Sequence, residues 1–114
     1  MTTVTFYKSN DIYIGFEAKG HAFFDSYGKD IVCASISVLM INTINSIEEL
    51  CNGSFDLKED EDKGILGIFL KGSEDKDIQL LIRSLKLGLD GICSEYGNNY
   101  LKVITKEVND NAKA

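Results

Sequence analysis

The chain has 114 residues, 44% of them hydrophobic and 26% charged, with a net charge of −6 and three cysteines. That length suits one compact domain, expected over 1–108 with a frayed tail at 109–114, and the composition is too apolar for disorder. The acidic balance excludes an ordinary nucleic-acid binder, and no apolar run approaches the roughly 18 residues of a membrane span.

Val4 and Phe6 alternate with polar residues, and so do Ile12, Ile14, Phe16 and Ala18. Ser9-Asn10-Asp11 lies between the two runs, and Asn and Asp tolerate the left-handed backbone of a tight turn. An antiparallel hairpin is expected, ending at Lys19-Gly20. The loop GHAFFDSYGK leads into DIVCASISVLMINTINSIEEL, a helix for which Asp30 is a natural N-cap. Val32, Ile36, Leu39, Thr43 and Ile47 form one apolar stripe; Cys33, Ser37, Met40 and Ile44 form a second, one residue round. A helix apolar on so many sides calls for a partner beyond the sheet, either another helix or a second subunit.

Asn52-Gly53 closes that helix, with either residue suited to a left-handed cap. SFDLKED alternates, DEDKG turns, and GILGIFLKG reads as a strand buried on both faces. Ser73 is expected to start a second helix whose early Glu74, Asp75 and Asp77 complement its dipole. Its apolar face is Ile78, Leu81, Ile82, Leu85, Leu89, Ile92 and Cys93, and YLKVITKEV is a last strand. The order ββαββαβ implies an α+β fold: one mixed or antiparallel sheet of about five strands with both helices on one face.

The chemistry concentrates in residues 20–37. If Asp30 caps the helix, Cys33 is its third residue, beside first-turn amides that lack intrahelical partners and favour a thiolate. Those amides also suit the oxyanion formed when a carbonyl is attacked. His21, the one histidine, is the natural base for that thiol, on a loop bounded by Gly20 and Gly28. Phe23, Phe24 and Tyr27 are costly to expose and are expected to pack over the site or to form walls for an apolar substrate side chain. Each residue has a plainer reading too. A cysteine in an apolar helix is commonly a small buried hydrophobe, a loop histidine is commonly solvated, and Asp30 is first of all a cap. Ser37, one turn after Cys33, either bonds near the site or bonds its own helix backbone. Cys51 and Cys93 look structural. With an odd count, no CxxC spacing and no export signal, the three cysteines are expected as reduced thiols in a cytoplasm, with no metal and no cofactor.

GHAFFDSYGKDIVCASIS resembles the signature of the ribosomal-processing cysteine protease family (Prp): Gly-His, a short loop, Gly-x-Asp, then Cys-Ala and a serine. Gly20, His21, Gly28, Asp30, Cys33, Ala34 and Ser37 fall on it. The resemblance implies a cytoplasmic bacterial endopeptidase that removes a short N-terminal extension from the large-subunit ribosomal protein numbered twenty-seven. It makes Cys33 the nucleophile and His21 the general base, later the acid for the leaving amine. Asp30 and Ser37 then have supporting roles, and Gly20 sits at the hinge of a mobile loop. It further implies a homodimer and an apolar, aromatic cleavage segment on a basic substrate, which the acidic surface suits. An alternative from another class is a non-catalytic, ribosome-associated binding or assembly module with the same fold. A redox sensor ranks below both, since no resolving cysteine stands beside Cys33.

Overall fold

The computed structural model of the protein describes residues 1–20, 31–72 and 75–108. The elements are β1 (Thr2–Ser9), β2 (Ile12–Lys19), α1 (Ile31–Cys51), β3 (Phe55–Asp60), β4 (Ile65–Leu70), α2 (Lys76–Tyr96) and β5 (Leu101–Glu107). This is the expected ββαββαβ order. The strands form one sheet, β3-β4-β2-β1-β5, mixed because β5 joins β1 in parallel while every other pair is antiparallel. The expected tail, 109–114, lies outside the described residues.

Local chemistry explains the element ends. Asn10 and Asp11 have φ of 53° and 67°, so the first hairpin closes through two left-handed residues, as a primed turn requires. Asn52 (φ 52°) takes the left-handed position after α1, and the Gly53 amide reaches back to the Ile47 carbonyl at 2.9 Å. The second helix starts later than Ser73: Asp75 is its N-cap and accepts from the amides of Asp77 (2.8 Å) and Ile78 (2.9 Å). A carboxylate two residues nearer the apolar stripe wins over the serine, because its side chain satisfies two first-turn amides.

Strict alternation fails in β2. The register steps between Tyr7 and Lys8, so Tyr7 pairs with Gly15, Lys8 pairs with Tyr13, and Ile14 is the extra residue of a bulge. Parity flips there. Tyr13 joins the core, its ring edge-on to Phe6 at 5.9 Å, while Ile14 is buried outside that cluster.

Both helices cover one face of the sheet. Val4, Phe6, Phe16, Ala18, Leu66 and Ile68 meet Ile36, Met40 and Ile47 of α1 and Ile82, Leu85 and Leu89 of α2 in a single core. The helices run antiparallel: Leu39 lies against Gly88, where a Cβ would stand 3.1 Å from it, and Ile47 and Ile78 flank Gly53. Among the described residues the opposite sheet face carries no helix, and it is tied by Tyr7 against Phe69 (ring centroids 5.1 Å apart) and Lys58 over Phe69. Two ends result. One gathers the end of β2, the starts of β1, β4 and β5, and the start of α1. The other holds the Asn10-Asp11 turn and the start of α2, joined by Gln79 to the backbone of Tyr13.

Candidate active site

Because α1 begins at Ile31, Cys33 is its third residue, and its side chain is half-buried. The amides of that first turn have no intrahelical acceptor, and none of the residues from Ile31 through the first turn of α1 is acidic. The other post of the motif is Gly20. Its φ of 148° belongs to the region glycine alone tolerates well, and a Cβ there would stand 2.7 Å from the Met1 carbonyl oxygen. Its amide donates to the Gly64 carbonyl at 2.8 Å, so the chain leaves the sheet from a point fixed between β1 and the β3–β4 turn. His21, Phe23, Phe24, Tyr27, Gly28 and Asp30 lie outside the described residues.

Ser37 is half-buried one turn after Cys33. Thr43 shows the backbone-bonding alternative, donating to the Leu39 carbonyl at 2.7 Å. From Ala34, the residue after Cys33, a shallow apolar groove of about 410 Å³ opens, walled by Ala34, Ser35, Val38 and Leu39 of α1 and by Ile92 of α2. Thr2 is fully buried next to Gly20, and its Oγ1 has no hydrogen-bond partner among the described residues.

The remaining thiols are held as neutral groups. Burial raises the Cys93 thiol above its ordinary value, Asp90 adds to the rise, and the sulfur donates to the Leu101 carbonyl at 3.3 Å. Cys51 is also raised, first by desolvation and then by Asp75 and Asp77. None of the three cysteines is in a disulfide. Charge around the β3–β4 turn whose Gly64 holds Gly20 is acidic on balance, with Glu59, Asp60, Glu61 and Asp62 outweighing Lys58 and Lys63.

The family model for cysteine protease Prp matches residues 1–102. The chain belongs to the Prp family of cysteine proteases. The ribosomal processing cysteine protease Prp of Bacillus subtilis is 32% identical over 110 residues, covering 92% of this chain and 97% of that one. Its counterpart in Staphylococcus aureus is 31% identical over 80 residues, 70% of this chain and 76% of the other. The crystal structure of the S. aureus Prp with a covalently linked product peptide superposes with a TM-score of 0.81 at 29% identity, over 93% of this chain and 100% of that one.

Sequence reasoning set an aromatic loop over the site and assigned the surplus apolar residues of α1 to a partner. It did not foresee the Ala34–Ile92 groove, whose wall begins one residue after Cys33. The signal was present in the doubled stripe on α1, and only the antiparallel pairing with α2 brings Ile92 across to close the second wall.

Proposed function

We propose that this Prp family protein is a cytoplasmic endopeptidase that trims a short N-terminal extension from the large-subunit ribosomal protein numbered twenty-seven, with Cys33 as nucleophile and His21 as general base. The observation that carries the reading is the place of Cys33, half-exposed in the first turn of α1 beside amides free of helix bonds. His21 takes the thiol proton, and the Cys33 sulfur adds to the scissile carbonyl carbon. The oxyanion rests on first-turn amides. The imidazolium then gives its proton to the leaving amine as the C–N bond breaks, leaving a thioester on Cys33. Water, deprotonated by the imidazole, attacks that thioester; the C–S bond breaks and the carboxylate product departs with the thiol restored.

Asp30 and Ser37 support this site in the proposal, Gly20 hinges the segment carrying His21, and Phe23, Phe24 and Tyr27 wall the pocket. Two features of the structure favour a basic substrate with apolar residues at the cut: the acidic β3–β4 turn that abuts Gly20, and the apolar groove that begins at Ala34. The S. aureus relative holds a covalently linked product peptide, in keeping with a thioester route. A homodimer completes the reading, built on the exposed part of α1 around Ile41 (49% exposed), outside the groove.

Incubation with a peptide spanning the extension and its junction, followed by mass spectrometry, tests this. Wild type gives two products, while Cys33→Ala and His21→Ala give none. Intact peptide with wild type, or equal cleavage by Cys33→Ala, overturns the proposal; tight binding without cutting points instead to the assembly module.

A further inference from the structure

At the far end of the molecule from Cys33, a cleft of about 610 Å³ lies between the start of β2 and the first turns of α2, with Lys8, Lys76 and Arg83 on its walls. Its size falls within the roughly 300–1,000 Å³ of small-ligand sites. We propose that this cleft binds a small phosphorylated ligand, with Arg83, Lys76 and Lys8 as its phosphate contacts.

Charge is the first ground. The chain as a whole is acidic, with a net charge of −6, and Arg83 is its single arginine. Yet the cleft gathers three cations against one lining carboxylate, Asp11. Asp11 is 99% exposed and reaches only Lys8, at 3.9 Å, a contact that an incoming anion displaces at little cost. Lys76 and Arg83 have no ion pair among the described residues. Asp75, close in sequence, turns its carboxylate into the α2 amides and does not compete for them.

Construction is the second ground. The Gln79 side chain holds the Tyr13 backbone at two points: its carbonyl accepts from the Tyr13 amide (2.9 Å) and its amide donates to the Tyr13 carbonyl (2.8 Å). This clamp fixes β2 to α2 across the floor of the cleft. The bulge at Tyr7/Lys8 pairs Lys8 with Tyr13, and the Lys8 ammonium then lies over the Tyr13 ring, 5.1 Å from its centroid. Lys8 is thus pre-positioned, and Arg83 supplies a planar fork that matches phosphate oxygens two at a time. The remaining surface favours a compact anion over a long one. A phosphate chain extending beyond the three cations would meet the acidic excess that gives the chain its net charge.

Inorganic pyrophosphate is titrated into the ¹⁵N-labelled full-length chain at constant ionic strength, with parallel titrations of a nucleoside triphosphate without metal and of a single-stranded oligoribonucleotide. The expected result is saturation by pyrophosphate and by the nucleotide, with shifts confined to Lys8, Tyr13, Lys76, Gln79 and Arg83. Tighter binding of the nucleotide than of pyrophosphate identifies a nucleotide as the source of the phosphate; equal binding identifies the phosphate group alone. Arg83→Gln weakens binding at least tenfold, Arg83→Lys by less, and Lys58→Gln on the open sheet face changes nothing. Linear, unsaturated shifts, binding indifferent to Arg83→Gln, or an oligonucleotide that binds most tightly and shifts the open sheet face would each overturn the proposal.

Discussion

Replacing Thr2 by valine should stabilise the protein. The residue is fully buried, and its hydroxyl has no hydrogen-bond partner among the described residues. Its strand position is secured independently, because the Thr2 amide donates to the Tyr100 carbonyl at 3.0 Å. Valine keeps the β-branched shape, so the swap removes the stranded hydroxyl and little else. An unsatisfied buried polar group costs about 1–3 kcal/mol. The space is tight, since Oγ1 stands 3.2 Å from where a Cβ on Gly20 would be, and the larger methyl takes back part of the gain. A net gain of about 1 kcal/mol remains. At about 2.1 cal/mol/K of unfolding entropy per residue, that raises Tm by about 4 °C. Thr43→Val is the control: its hydroxyl already donates to the Leu39 carbonyl, so the same swap brings no gain. Thermal melts followed by circular dichroism decide the matter. A Thr2→Val protein that melts at or below wild type would show that the hydroxyl is satisfied and would refute the reasoning.

Asp75→Ala removes an N-cap that serves two amides and should cost about 1 kcal/mol in urea unfolding, with an unchanged m-value. Cys51 and Cys93 titrate above their ordinary values in the fold, so the folded state holds these protons longer than the unfolded chain does. Their contribution to stability is therefore complete below the ordinary thiol value of about 8.5 and is lost as pH climbs through the raised ones. Tm should fall on the alkaline side of that value, and less steeply in Cys51→Ala/Cys93→Ala than in wild type. Ile41→Glu places charge on the exposed face of α1 outside the groove and should convert a dimer to a monomer in sedimentation; a wild type already monomeric at tens of micromolar contradicts that assignment.

How much of this was legible in the residues depends on where the determinants lie. The Asn10-Asp11 turn, the Asn52-Gly53 cap and the α2 stripe are local, each set by a few neighbouring side chains, and they follow directly from the pattern. The bulge in β2 was hidden because it is a property of pairing: nothing in Ile12-Tyr13-Ile14 says which residue will lack a partner on β1. The start of α2 was misplaced because Ser73 and Asp75 both suit a cap, and the carboxylate at 75 reaches two amides. At the site, the place of Cys33 in the first turn followed from Asp30 and the apolar run behind it. The groove beside it did not, because Ile92 is distant in the chain and arrives only through helix pairing.

The central claim is that Cys33 reacts as a thiolate. Limiting iodoacetamide, applied at several pH values and read by peptide mass mapping, measures this against Cys51 and Cys93 in the same molecules. Cys33 should be alkylated first at neutral pH, with a rate that levels off before the other two begin to react. A Cys33 rate that climbs with pH as an ordinary thiol does, or that lags behind Cys51 and Cys93, would contradict the account.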